Sequence, residues 1–250
     1  GRREFCLHVA ATGTGKTLPV VLAAIALGGI AIIVTPLVAL GKQQAHAINT
    51  GPAQNKVFAI HIGTQMSAEA RTQIIAVLRR AAAQPLSKVI IVILSPQMLS
   101  PQKMWHKVLL EDKGAIKALN IVAIDEVHCV PLDGEFFRDE FAMLKENLIN
   151  KVKTANESFD QTTRIAVCAM TATLTKDTLI KLQRMLGIDA FDKVLWGCIS
   201  RRDIDIRVNV CGGAATVHPL KKSVRKSLRT ERWSKAIVYT NFADRASGPL

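Results

Sequence analysis

A chain of 250 residues, 49% of them hydrophobic, can bury the core of one large domain, or of one domain and part of a second. Its 33 Lys and Arg against 20 Asp and Glu leave a net charge of +13, which points to a polyanionic partner, nucleic acid first, with simple solubility as the competing explanation. No uninterrupted apolar run reaches about 18 residues, so no membrane-spanning helix is indicated, and no C-x-x-C pair joins the five scattered cysteines, so neither a zinc site nor a disulfide framework is supported.

The first predicted strand covers residues 5–9. A glycine turn follows, Ala10-Ala11-Thr12-Gly13-Thr14-Gly15-Lys16-Thr17, and an apolar helix over 18–27 comes next. That spacing is a phosphate-binding loop, with Ala10 where the strict pattern has Gly. Gly13 and Gly15 lack Cβ, so the backbone can bend sharply and aim several N–H groups at one point. The point is a helix N-terminus, where the dipole already favours an anion. Lys16 adds a full charge for the β- and γ-phosphates, and the Thr17 hydroxyl can hold Mg²⁺. The competing reading is an ordinary strand-to-helix turn beside a chance lysine.

Residues 30–34 are continuously apolar and β-branched, as in a strand buried on both faces. Thr35 as N-cap and Pro36 at the first helical position start a helix to about residue 48. Asn49-Thr50-Gly51-Pro52 breaks it. A third strand is expected at 57–60, and a helix capped by Ser67 runs to about 83. The fourth strand, 88–94, stops at Ser95-Pro96. Residues 97–107, with Pro101 among them, read as a broken helix, and 116–119 as helical. The fifth strand, 120–124, ends at Asp125-Glu126. A helix is expected over 135–149, a polar loop over 151–163, a sixth strand over 164–169, and a helix over 175–186 closed by Gly187. Strands alternating with helices define an α/β fold, a doubly wound and mostly parallel sheet. The polar clusters all fall at strand carboxyl ends, where such sheets bind ligands.

Beyond Gly187 the texture changes. Residues 191–200 are mixed, 204–210 alternate as a half-buried strand would, 221–232 form a basic helix candidate, and 236–239 read as a buried strand. A boundary near 198–204 divides the chain into domains 1–198 and 199–250. Lys221, Lys222, Arg225, Lys226 and Arg229 fit a nucleic-acid face and fit a charged, solvated helix equally well.

A phosphate loop does not hydrolyse anything alone; it needs an acid for Mg²⁺ and a group to orient water. Asp125-Glu126-Val127-His128 offers both at a strand end, Asp125 toward the metal and Glu126 toward the water. Taken alone, two acids after a strand would more often be a solvated turn. Joined to the phosphate loop, they read as its second half.

Seven stretches in order now carry a resemblance. Residues 11–17 resemble motif I of superfamily 2 helicases. Val34-Thr35-Pro36-Leu37-Val38-Ala39-Leu40, followed by Lys42 and Gln44, is similar to motif Ia of the RecQ family. Gly63-Thr64-Gln65 resembles a short segment between motifs, and Ser95-Pro96-Gln97-Met98-Leu99 looks like motif Ib. Asp125-Glu126-Val127-His128-Cys129 is a DEAH-like box whose Cys favours RecQ. Met170-Thr171-Ala172-Thr173 resembles motif III, and Ala236-Ile237-Val238-Tyr239-Thr240-Asn241 resembles motif IV. The family's aromatic-rich loop reads Trp, Gly, His, Asp, Phe, Arg. Here the span is Asp133-Gly134-Glu135-Phe136-Phe137-Arg138, so only Gly, Phe and Arg match.

The resemblance implies a RecA-like P-loop NTPase domain and the start of a second one, working as an ATP-dependent DNA helicase of 3′-to-5′ polarity. ATP would sit on Thr12, Gly13, Thr14, Gly15, Lys16 and Thr17, with Mg²⁺ between Thr17 and Asp125. Glu126 would orient the attacking water, and His128, Thr171 and Thr173 would link nucleotide state to the strand-binding surface. Thr35, Pro36, Thr64, Ser95, Phe137 and Arg138 would contact single-stranded or duplex DNA. Plain N-capping remains open for Thr35 and Ser95, strand-end capping for the two threonines, and core packing for the aromatics. Zinc is not expected in this segment, and an intracellular, nuclear location is. Motif 0 is expected before Gly1, and motifs V and VI beyond Leu250. Two other functions stay open. One is a truncated or degenerate copy that binds nucleotide or nucleic acid without unwinding. The other is an RNA-directed ATPase of the DEAD-box type, against which Val127-His128 and Met170-Thr171-Ala172-Thr173 argue.

Overall fold

The computed structural model describes residues 5–84, 86–129 and 143–197. Within them, seven strands form one parallel sheet: β1 (Phe5–Val9), β2 (Ile30–Val34), β3 (Val57–Ile62), β4 (Val89–Leu94), β5 (Leu119–Ile124), β6 (Ala166–Thr171) and β7 (Lys193–Trp196). Their order across the sheet is β3-β4-β2-β5-β6-β1-β7. The helices are α1 (Thr17–Leu27), α2 (Val38–Thr50), α3 (Ala68–Ala83), α4 (Met104–His106), α5 (Lys113–Ala118), α6 (Asn150–Glu157) and α7 (Lys176–Leu186). Tighter 3₁₀ turns occur at Pro96–Leu99 and Val127–Cys129, and wider π-type turns at Lys107–Glu111 and Lys145–Ile149.

β2 and β4 are buried at every position, as β-branched runs covered on both faces should be. Alternate residues serve opposite layers, the two-residue period of a pleated strand. Ile32, Val34, Val92, Leu94, Val122 and Ile124 meet Leu78, Trp105, Leu109 and Leu148 on one face. Ala31, Ile33, Ile91, Ile93 and Ala123 meet Val20, Val21 and Ala24 of α1 and Ala45 of α2 on the other. Each fully buried Ile or Leu contributes about 1.5–3 kcal/mol relative to exposure. Among the described residues no helix is long and apolar enough to cross a membrane.

Local chemistry sets the helix ends. Ser67 Oγ accepts from the Ala70 N–H at 3.1 Å, and Asp112 Oδ1 accepts from Gly114 and Ala115, both at 2.9 Å. Thr175 Oγ1 accepts from Thr178 N–H at 3.1 Å, and Gly187 closes α7 in the left-handed region at φ 61°.

Four expectations are corrected. Thr35 does not cap α2: its N–H donates to the Leu94 carbonyl at 2.9 Å, which keeps it extended beside β4, so the helix starts at Val38 after Leu37. Ser95 opens the broken helix expected over 97–107, seen as the 3₁₀ turn, α4 and the start of a π-type turn, but its hydroxyl caps no backbone N–H and donates to Gln97 Oε1 at 2.9 Å. The polar stretch after residue 150 is the helix α6. Asn156, on the buried side of this helix, accepts from the Ile165 N–H at 2.8 Å and donates to the Ile165 carbonyl at 3.0 Å, tying the helix to the chain just before β6. The mixed stretch after 191 contains β7, which pairs with β1 as an exposed edge.

The chain divides into two compact units, Gly1–Arg201 and Arg202–Leu250. The basic run from Lys221, the strands expected at 204–210 and 236–239, and Phe136, Phe137 and Arg138 lie outside the described residues.

Candidate nucleotide site at the carboxyl edge of the sheet

The loop after β1 is pinned at its start, because the Ala10 N–H donates to the Thr171 carbonyl of β6 at 3.0 Å. It then turns through Gly13 at φ 83° and Gly15 at φ 81°. A Cβ at either glycine would meet nothing within 4 Å, so the backbone angle, not crowding, demands glycine there. Thr14 closes the turn: its N–H and its hydroxyl both donate to the Ala11 carbonyl, at 3.3 and 2.7 Å. Leu18 N–H donates to the Gly15 carbonyl at 2.9 Å as α1 begins.

Residues 12–15 face solvent, Thr17 is half-buried, and Lys16 lies beneath them at 8% exposure. Its Nζ is 3.5 Å from the Ala11 carbonyl. Among the described residues it forms no ion pair, so the buried ammonium has only the Ala11 carbonyl beside it. A buried cation in that state is costly until an anion reaches it. The nearby His8 imidazole is held below its ordinary value by burial first and by Lys16 second.

The acids stand at the end of β5. Asp125 N–H continues the ladder to the Val34 carbonyl at 2.8 Å, and its carboxylate is 4% exposed. Oδ1 accepts from the Glu126 N–H at 3.0 Å, and Oδ2 accepts from the Gln44 amide at 2.9 Å. Glu126 has φ 51°, the left-handed region, which costs about 1–3 kcal/mol for a residue with a Cβ. That turn sends its side chain toward His128, whose Nδ1 is 3.2 Å from Glu126 Oε2.

His128 Nδ1 is also 3.1 Å from Thr171 Oγ1. The Thr171 hydroxyl donates to the Thr173 carbonyl at 2.8 Å and accepts from the Thr173 N–H at 3.2 Å. Its one proton is therefore committed, and the proton shared with His128 belongs to Nδ1. Thr171 links the two halves of the site, meeting the loop through its carbonyl and, through its hydroxyl, the His128 that stands against Glu126. One strand, β6, separates β1 from β5, so loop and acids stand two strand spacings apart, about 10 Å.

The other predicted residues fall on neighbouring strand ends. Thr35 and Pro36 follow β2, Ser95 follows β4, and Thr64 lies just past β3. Thr64 is exposed, whereas Pro36, Ser95 and Thr35 are buried, the last with its hydroxyl unpaired at 1% exposure. Gly41 packs against Thr35 and the His61 ring so closely that a Cβ would lie 2.7 Å from His61 Cδ2. Burial, then the Lys42 charge, hold His61 below the ordinary histidine value.

Sequence reasoning assigned Gln44 no role. Its signal was an amide beside the buried Ala45, on the inward side of α2, where a polar group needs a partner. The partner is the Asp125 carboxylate, and its own Oε1 is left buried without a hydrogen bond.

A glycine-rich loop on a helix N-terminus, at the carboxyl edge of a parallel sheet and facing paired acids, defines a P-loop α/β domain of the RecA-like kind. The family model described as "DEAD/DEAH box helicase" matches residues 2–182, and the chain belongs to that family. It is 27% identical over 189 residues to "Putative ATP-dependent DNA helicase Q1" of Caenorhabditis elegans, covering 75% of this chain and 27% of the relative. It is 30% identical over 142 residues to "ATP-dependent DNA helicase RecQ" of Synechocystis sp., covering 57% of this chain and 27% of the relative. These names bear out the RecQ resemblance, and the chain spans about a quarter of the length of either relative. The fold is shared with the solved structure "DUF1998 helicase MrfA bound to DNA and AMPPNP", at TM-score 0.55 and 15% identity over 90% of this chain and 30% of that one.

Proposed function

We propose that residues 1–198 are the ATP-binding RecA-like domain of a RecQ-type DNA helicase with 3′-to-5′ polarity, and that 199–250 begin its second RecA-like domain. The observation that carries this reading is the buried Lys16, without an ion pair among the described residues, in an exposed glycine turn two strand spacings from the strand that ends at Asp125 and Glu126. The break between compact units at Arg201 and Arg202 supports the domain assignment.

In this reading, amides of residues 12–17 and the Lys16 ammonium grip the β- and γ-phosphates. The Thr17 hydroxyl and the Asp125 carboxylate are hard oxygen donors of the kind Mg²⁺ takes, and they would hold it. Bound Mg²⁺ would neutralise phosphate charge. Glu126 accepts a hydrogen bond from the attacking water and orients it in line. His128 holds the Glu126 carboxylate, and Thr171 holds His128, so a change at the phosphates is felt along β6. Thr35, Pro36, Thr64 and Ser95 line the ends of three adjacent strands, where the turns that follow offer N–H groups to the backbone of a single strand.

The test is the ATPase rate with and without single-stranded DNA or RNA. Stimulation by DNA is expected, weakening steeply as salt rises because the contacts are to phosphates. Stimulation by RNA alone would move the reading to an RNA-directed ATPase. No turnover would favour a binding module, which the replacement of Trp, His and Asp by Asp133, Glu135 and Phe136 also favours. Gln44→Ala is expected to weaken Mg-nucleotide binding about tenfold, since a hydrogen bond to a charged group is worth roughly 1.5–3 kcal/mol. Calorimetric titration with and without Mg²⁺ checks this, and an equal loss in both would remove Gln44 from the metal side of the site.

A further inference from the structure

We propose that Cys6 and Cys168 form a peroxide-sensitive dithiol, with Cys6 the attacking thiolate and Cys168 the resolving thiol, whose disulfide staples β1 to β6 beneath the nucleotide loop. The two are register partners on adjacent parallel strands, so their side chains leave the same face of the sheet. Neighbouring strands lie about 4.8 Å apart, inside the Cα separation of about 4.4–6.8 Å that disulfides span. Both thiols are free and partly buried, Cys168 against the core of the sheet. Cys6 and His8 alternate with the buried Phe5, Leu7 and Val9, on the face of β1 that is less deeply covered.

The next strand in the same row supplies a cation. Cys6 is the register partner of Lys193 on β7, and Asp192 lies just before it, accepting from the Phe5 N–H at 2.9 Å. The hydrogen bond from Cys168 brings the Cys6 thiol below its usual value, with Lys193 assisting and with burial and Asp192 opposing. The same bond, burial and the more distant Asp125 push Cys168 up. Cys6, one strand from the Lys193 cation, is the sulfur biased toward the thiolate, and Cys168, on a strand flanked by β1 and β5, is the one that keeps its proton.

The chemistry balances with hydrogen peroxide as oxidant. Cys6 sulfur attacks one peroxide oxygen, the S–O bond forms, the O–O bond breaks, and the departing hydroxide takes a proton to become water. Cys168 sulfur then attacks the sulfenic sulfur. The S–S bond forms, the S–O bond breaks, and hydroxide leaves with the Cys168 proton as a second water. Two thiols are oxidised to one disulfide and one peroxide is reduced to two waters. The staple lies a few residues before the point where Ala10 and Thr171 join the same two strands.

The test treats the whole chain with sub-stoichiometric hydrogen peroxide and maps unreduced peptides by mass spectrometry. A Cys6–Cys168 disulfide is expected ahead of any modification at Cys129, Cys198 or Cys211. In Cys168→Ser, dimedone is expected to trap a sulfenic acid at Cys6 at least about tenfold faster than at the other cysteines. The wild-type map needs no variant to fold. Oxidation spread evenly over the five cysteines, a different pairing, or no disulfide would overturn the proposal.

Discussion

Replacing Lys16 by alanine is expected to abolish nucleotide binding while leaving the fold intact. The ammonium is buried under the loop with one weak contact, at 3.5 Å to the Ala11 carbonyl, so little of the native packing depends on it. Its worth is realised when phosphate arrives. Truncating one partner of a buried, hydrogen-bonded charge pair costs about 2–5 kcal/mol, which is from about 30-fold to a few thousand-fold in affinity. Removing an uncompensated buried charge should leave the melting temperature unchanged or slightly raised. Titration with a fluorescent nucleotide, beside a thermal melt, measures both. Unchanged affinity would end the phosphate-loop assignment, and a collapsed melt would show that Lys16 serves the core.

Glu126→Gln is expected to separate binding from turnover. Glutamine keeps the shape, tolerates the same left-handed backbone no worse, and leaves the His128 to Thr171 hydrogen bond in place. What it loses is the charge that polarises water. Nucleotide affinity should stay within a few-fold, and turnover should fall by about 10²–10⁴, the usual contribution of a positioned general base. Steady-state ATPase assays and binding titration on one preparation decide it. Equal turnover would mean that another group activates the water.

The buried strands, the Ser67 cap, the Gly187 stop and the phosphate loop were readable because each is local. Ile30 to Val34 is β-branched at every position but Ala31, Ser67 directly precedes its helix, Gly187 directly follows its own, and Gly13 to Thr17 is contiguous. The errors share a cause as well. Thr35-Pro36 has the composition of a helix start, but β4 claims the Thr35 N–H first. Residues 151–157 lack an apolar stripe, and their helix depends on Asn156 bonding both polar groups of Ile165. β7 shows no alternation because it is exposed at every position and exists only through its pairing with β1.

By itself, the order of residues determined an α/β domain with a glycine-rich loop and a paired acid, because each of these is contiguous in the chain and local backbone preference shapes it. Which strands stand side by side was decided only in three dimensions. β6 comes between β1 and β5, and this lets Thr171 meet the loop and, through His128, Glu126. Gln44 reaches Asp125 across 81 positions of chain, and Cys6 faces Cys168 from opposite ends of the domain. Such partners are chosen by strand order and register, which follow from how helices pack over a shared core, and no short stretch of sequence encodes them.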